Sequence, residues 1–297
     1  MVELHCHLDG SLRIQTLAEL LQDDRKHIDI KKDISFYPNM GITKALSCFK
    51  TTLSVLQTPD RVERATRELC EDVKSFGHSY TEIRFAPQLH TGGSIETIVD
   101  AAISGLDNNS SLILCGLYGE SPEMLLKLVD IAKTRNRVVG IDLAGAPAEH
   151  HRYHLLDYEE PFVKAKKLGI GRTVHAGEGR SSKEIEVAIN FLHAQRIGHG
   201  LTLLDDWKTL DLVLQNNVTI EACLTSNWHT GAIQKISEHP IKQWLKEGVQ
   251  ATICADNILL SDTVLPIEYT KAKHLCGLSH SDILQCRVNA ENALFRR

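Results

Sequence analysis

The feature that most constrains how this 297-residue chain folds is an alternation of eight short β-rich runs with longer helical patterns. The runs lie at 2–7, 81–86, 111–118, 138–143, 172–175, 196–198, 218–223 and 251–255. Helical patterns fill 11–21, 43–56, 59–75, 95–106, 122–134, 159–168, 181–192, 205–215, 240–247 and 279–294. Strands separated by helices long enough for right-handed crossovers predict a parallel α/β sheet, either open and doubly wound or closed as a (β/α)₈ TIM barrel. Eight strands favour the barrel. Barrels of roughly 250 residues fold as one unit, and no repeat or low-complexity linker divides the chain, so a single domain over 1–297 is expected. The excursion at 23–75, between the first two runs, is expected to lay extra helices over one end of the barrel as a lid.

Composition removes several function classes. A hydrophobic fraction of 42% suits a packed core. The net charge is −5 and the Lys and Arg residues are interspersed with Asp and Glu, so no basic stripe exists to track a nucleic-acid backbone. No apolar run reaches the roughly 20 residues that span a bilayer, and the start lacks a charged-then-apolar leader, so no membrane partner and a cytoplasmic location are expected. The eight Cys residues contain no C-x-x-C pair and read as buried thiols in a reducing cell rather than as disulfides or zinc ligands. Among the fifteen His, residues such as His150, His151, His154 and His280 sit in polar surroundings and read as solvated.

A barrel places reactive groups at the carboxyl ends of its strands. His5 and His7, two apart in an apolar run that Asp9-Gly10 then turns, project to the same side of a strand. Asp142 ends the run 138–143, His175 leads into Ala176-Gly177-Glu178, and His199 follows 196–198. Glu221 and Ser226 lie late in or just past 218–223, and Asp256 and Asn257 follow 251–255. Each has a bland explanation as a loop hydrogen bond, a tight turn or a helix cap. Independent turns and caps have no reason to gather at the same end of successive strands, so the residues are read as one site. His5, His7, His175 and Asp256 supply three imidazoles and one carboxylate, a set suited to one Zn²⁺ with an open position for water. Glu178, three residues beyond a ligand, is the candidate proton shuttle, and His199 the group that orients hydroxide and stabilises charge.

These residues also carry a resemblance. The segments Val2-Glu3-Leu4-His5-Cys6-His7-Leu8-Asp9-Gly10, Tyr80-Thr81-Glu82-Ile83-Arg84-Phe85-Ala86-Pro87, Gly140-Ile141-Asp142-Leu143-Ala144-Gly145, Thr173-Val174-His175-Ala176-Gly177-Glu178, Arg196-Ile197-Gly198-His199-Gly200 and Ala255-Asp256-Asn257 resemble, in order, the motif set of adenosine deaminases in the amidohydrolase superfamily. The resemblance implies a (β/α)₈ barrel with one zinc that converts adenosine, and 2′-deoxyadenosine, to inosine-type products and ammonia. It makes His5, His7, His175 and Asp256 the metal ligands, Glu178 the group that protonates purine N1, and His199 the hydroxide-orienting partner, with Asp256 accepting a hydrogen bond from the attacking water. For binding it implies Gly145 at purine N3, Asp9 at the ribose 5′-hydroxyl, and His7 among the substrate contacts. Relatives acting on adenine carry Glu where this chain has Asp9, and a 5′-phosphate beside Asp9 meets like charge.

Two departures stand out. Many members of that family carry a second Asp followed by Pro where this chain has Asn257 and Ile258; an amide donates to N7 outright, whereas a carboxyl must first be protonated. The chain also begins almost at His5, so the first strand is expected to be short or supported differently. Alternative readings are a deaminase of a larger nucleoside such as aminodeoxyfutalosine, a deaminase of adenine, a two-metal amidohydrolase, and a silent relative acting as a binding module. The two-metal class needs a bridging Lys on the fourth strand, and the run 138–143 contains none.

Overall fold

The computed structural model of the protein describes residues 1–26, 29 and 33–295. Its strands are β1 (Val2–His7), β2 (Tyr80–Phe85), β3 (Ser110–Leu117), β4 (Val138–Ala144), β5 (Gly171–Ala176), β6 (Arg196–His199), β7 (Thr219–Ala222) and β8 (Gln250–Ile253), in one parallel sheet whose spatial order is the chain order. The sheet closes through a parallel bridge between Cys6 and Asp256. His7 N–H donates to the Asp256 carbonyl at 2.8 Å, and Asp256 N–H donates to the His5 carbonyl at 2.9 Å. The result is the (β/α)₈ barrel, with strand ends within two residues of the expected positions. β1 is six residues long and pairs with β2 along its length, so it is not a short strand.

Among the described residues the helices are α1 (Ile14–Asp23), α2 (Ile42–Val55), α3 (Pro59–Ser75), α4 (Ile95–Gly105), α5 (Pro122–Lys133), α6 (Glu159–Lys167), α7 (Lys183–Asn190), α8 (Trp207–Gln215), α9 (Leu224–His229), α10 (Ile241–Lys246), α11 (Leu265–His274) and α12 (His280–Asn292). Their starts follow local chemistry. Pro59 and Pro122 stand in first turns where the missing N–H costs nothing, and Ser279 and Asp282 form a capping box on α12. Two helices escaped the sequence reading. α9 is a six-residue polar segment too short to show a period, and the apolar residues of α11 are spread around its circumference.

The excursion 23–75 divides into unlike parts. α3 packs against α4 in the outer ring, where a Cβ on Gly105 would collide with Glu63 and Thr66, so this helix is barrel wall. α2 contributes Ile42, Ala45, Leu46 and Phe49 to the cavity at the carboxyl ends of the strands. Residues 27, 28 and 30–32 of the excursion lie outside the described residues.

The barrel interior holds ionisable side chains where a layer of Val, Ile and Leu is the usual filling. Glu3, Glu82, Arg84, Asp142 and Glu221 are fully buried, and Arg196 is 1% exposed. At the floor, Phe295 lays its ring over the Arg196 guanidinium, 3.7 Å from the ring centre, and donates its N–H to Glu82 at 2.7 Å. A Cβ on Gly171 or Gly140 would overlap that ring, so glycine in β4 and β5 makes the seat for Phe295. Phe295→Ala is expected to cost about 3 kcal/mol and Gly171→Ala about 1–3 kcal/mol in urea unfolding. Because the two residues touch, the double variant should cost less than the sum. Additive costs would show that ring and glycine do not share the seat.

Candidate metal and catalytic site

Period-two alternation in β1 turns Glu3, His5 and His7 toward the barrel axis, and β5 does the same for Thr173 and His175. His7 Nε2 lies 3.3 Å from His5 Nε2 and 3.3 Å from His175 Nε2, while Asp256 Oδ1 lies 3.5 Å from His5 Nε2 and 3.6 Å from His7 Nε2. Tetrahedral ligands at a zinc–nitrogen distance of about 2.0–2.1 Å stand ~3.3 Å apart, so the donor spacing fits one such ion.

The protons lead to the same place. His5 Nδ1 sits 2.7 Å from Glu221 Oε2 and His175 Nδ1 sits 3.1 Å from Asp142 Oδ2. Carboxylates accept, so both Nδ1 atoms carry hydrogen, and in the neutral rings both Nε2 atoms present bare lone pairs. Two lone pairs converging on His7 Nε2 cannot both find a hydrogen there. A cation satisfies all three, and a carboxylate behind the imidazole is the usual support of a metal-ligating histidine. Two wider groupings exist within 4.8 Å, one of His5, His175 and His199, the other of His5, Cys223 and Asp256. Burial pushes the Cys223 thiol well above its ordinary pKa, so it stands there as a neutral thiol.

Beside this cluster is a cavity of about 50 Å³ faced by Glu178, His199, Ser226, Thr230, Asp256 and Asn257. It adjoins an apolar cavity of about 310 Å³ that contains Asp9 and shares His7, Leu46, Phe49 and Gly145 with it. Glu178 accepts from Thr230 Oγ1 at 3.1 Å and lies 3.8 Å from His199 Nε2. His199 and Asp256 hold φ of +69° and +65°, values uncommon for side chains with a Cβ. Gly145 has φ of +81° with nothing near its Cβ position, so backbone conformation and not space calls for glycine there. Asn257 gives one amide hydrogen to Asp256 Oδ1 at 2.7 Å and keeps a second; a Cβ on Gly10 would strike its side chain.

The sequence profile described as adenosine deaminase matches residues 1–296. The chain belongs to the adenosine deaminase family. It is 35% identical over 312 residues to an adenosine deaminase of Clostridium botulinum (strain Loch Maree / Type A3), covering 99% of this chain and 92% of that one. An adenosine deaminase of Clostridium acetobutylicum is 35% identical over 315 residues, with the same two coverages. The N6-methyl-AMP deaminase of Arabidopsis thaliana superposes with a TM-score of 0.85 at 26% identity, over all of this chain and 92% of that one. An amidohydrolase of Burkholderia ambifaria with bound Zn shares the fold, with a TM-score of 0.90 at 20% identity over all of this chain and 85% of that one. The enzyme is thus a hydrolytic deaminase of a metal-dependent family, and among its described residues no helix is long and apolar enough to cross a membrane.

Burial sets the electrostatics of this site. It pushes the Glu178 and Asp256 carboxyls up and pulls His5 and His7 far down and His199 down to about 3. Burial works against Asp142 too, yet His175 and Arg84 hold it well below the carboxylate range. Asp9, buried with Oδ1 unpartnered, is pushed up to about 7 by desolvation.

Several contributors went unnoticed in the sequence. Arg84 bridges Asp142 at 2.8 Å and Glu221 at 2.9 Å, and Arg196 lies 2.8 Å from Glu221 and 2.6 Å from Glu82. Their signal was charge at alternate positions of otherwise apolar strands, as in Glu82-Ile83-Arg84. His151 was read as solvated but faces the apolar cavity, its ring packed where a Cβ on Gly119 would be. Ser226 lies inside α9, just past β7. All eight cysteines are free and buried.

Asp142→Asn is expected to weaken zinc binding by roughly 10- to 100-fold in chelator competition; wild-type affinity would remove Asp142 as the group that orients His175. The second expectation concerns pH. Because the folded-state pKa of Asp9 is raised from 3.8 to about 7, the stability tied to its neutral form is complete below 3.8 and lost as pH climbs through about 7. Asp9→Asn should therefore raise the melting temperature more at pH 8 than at pH 5, and an equal rise at both would contradict the assignment.

Proposed function

We propose that the enzyme deaminates adenosine, and 2′-deoxyadenosine, to inosine-type products and ammonia, with one zinc held by His5, His7, His175 and Asp256. The observation that carries the metal assignment is the meeting of bare imidazole lone pairs from His5 and His175 with His7 and the Asp256 carboxylate. Zinc, when bound, supplies the Lewis acidity that makes hydroxide available near neutral pH. The catalytic residues are Glu178, His199 and Asp256. Glu178, its pKa raised by burial, is the group that gives a proton to purine N1 as water adds at C6. His199 reaches the same small cavity and steadies the developing oxyanion, while the Asp256 carboxylate accepts from the attacking water.

Substrate contacts fall to His7, Asp9, Gly145 and Asn257. The Gly145 N–H serves purine N3, the spare amide hydrogen of Asn257 serves N7, and Asp9, the buried group with an unpartnered oxygen, accepts from the ribose 5′-hydroxyl. The α2 segment, whose apolar side chains roof both cavities, is the moving part of a lid. A second reading draws on the larger cavity: its apolar wall beyond Asp9 suits a bulkier 6-aminopurine nucleoside, aminodeoxyfutalosine among them.

The test is a deamination screen by ultraviolet absorbance over adenosine, 2′-deoxyadenosine, adenine, AMP, methylthioadenosine and aminodeoxyfutalosine. Adenosine and 2′-deoxyadenosine should lead, adenine and AMP should trail, and preference for a bulky 5′ substituent would move the assignment to the second reading. Glu178→Gln should keep about one equivalent of zinc yet lose on the order of 10²–10⁴ in kcat. Full activity in that variant would exclude Glu178 as the proton donor.

A further inference from the structure

Behind His199 a chain of hydrogen bonds runs away from the metal and ends on a backbone donor whose direction is fixed. The Ile241 N–H, at the start of α10, donates to His239 Nδ1 at 3.2 Å. A backbone nitrogen only donates, so His239 Nδ1 is bare and its ring hydrogen is on Nε2. That atom lies 3.3 Å from Asn227 Oδ1 and donates to it. The amide of Asn227 is thereby fixed, oxygen toward His239 and nitrogen toward His199, whose Nδ1 stands 2.9 Å away. An amide NH₂ only donates, so His199 Nδ1 accepts and its ring hydrogen is on Nε2, the atom 3.8 Å from Glu178 Oε2.

Nothing in this relay is free to turn. Asn227 is fully buried within α9, and its backbone carbonyl takes a second bond from Thr230 Oγ1 at 3.3 Å. His239 is 4% exposed, and its ring meets the fully buried Trp244 edge-on at 5.1 Å. Neither residue lies among the donors that converge on the metal position. We propose that Asn227 and His239 are positioning residues that lock His199 as the Nε2–H tautomer, so that it gives a hydrogen bond to the attacking oxygen and cannot take that oxygen's proton. The inference deepens the deaminase reading of His199 and rests on it for its catalytic meaning. The tautomer itself is readable whether or not any purine is turned over.

The experiment uses the full-length zinc enzyme with ¹⁵N-labelled histidine rings and long-range ¹H–¹⁵N correlation. His199 should show a bare-nitrogen shift at Nδ1 and a hydrogen-bearing shift at Nε2. Asn227→Asp keeps the acceptor for His239 and replaces the donor to His199 with an acceptor. Hydrogen should then appear at His199 Nδ1, with kcat down on the order of 10²-fold, KM nearly unchanged and zinc content intact. His239→Gln, which can still accept from Ile241 and donate to Asn227, should retain the wild-type tautomer and most of kcat, whereas His239→Leu should lose both. A hydrogen on His199 Nδ1 in the wild-type spectrum would overturn the proposal, and that measurement needs no variant to fold. Wild-type kcat in Asn227→Asp with the tautomer switched would overturn the catalytic consequence alone.

Discussion

The seam of the barrel is the constraint on which the rest depends. A sheet closed on itself must join its last strand to its first, and here the joining bonds run between the backbones of His5, His7 and Asp256. The same three residues offer imidazole and carboxylate atoms to one point. Closure and the meeting of these side chains are therefore one event: a shift of the seam by one residue would turn the His5 and His7 side chains into the barrel wall. The left-handed backbone at Asp256 belongs to this arrangement, since the chain must leave the seam sharply while the carboxylate stays aimed at the imidazoles.

Beneath the seam the barrel holds charges that a stability argument alone would not put there. Two arginines and three carboxylates, Arg84, Arg196, Glu82, Asp142 and Glu221, are buried together, and such ensembles are costly to desolvate. Their return is geometric. Glu221 answers two arginines and still faces His5 Nδ1, and Asp142 answers Arg84 while facing His175 Nδ1, so each carboxylate is held from behind while it fixes a ring in front. The Phe295 ring covers the lowest arginine, and recesses on either side of it are lined by that same residue. Dry surroundings keep these pairs strong, which ties the last described residue of the chain to the first strand.

What the sequence disclosed follows from how local each signal is. The alternation of β-rich and helical runs is local, and it located eight strands to within two residues because apolar β-branched runs such as Val138-Val139-Gly140-Ile141 leave little choice. His5 and His7 announce themselves through spacing alone. His239 and Asn227 do not: an Asn in a six-residue helix and a His before a Pro carry no period, and their meaning arises only when the connection after β7 folds on itself and meets His199 at the end of β6. Arg196 was visible as a letter in Arg196-Ile197-Gly198-His199, yet its place on the floor depends on Phe295, nearly one hundred residues later, finding room over Gly171. The excursion at 23–75 takes its division from tertiary contact. Packing against α4 makes Pro59–Ser75 a wall, while Ile42–Val55 faces the cavities.

The upper and lower halves of the barrel follow different rules. Below, Arg84, Arg196, Glu82, Asp142 and Glu221 each meet an opposite charge. Above, Asp9 keeps an unpartnered oxygen, Asn257 an unpartnered carbonyl, and His199 a left-handed backbone, all buried against the cavities. Each is unfavourable in the free protein, and the oxygens of Asp9 and Asn257 are relieved only by ligand groups that give them a hydrogen, such as a hydroxyl or an amine. A protein selected for stability alone would have paired these groups or turned them to water. That they lie together, at one end of the strands, is the physical reason to look for the chemistry there.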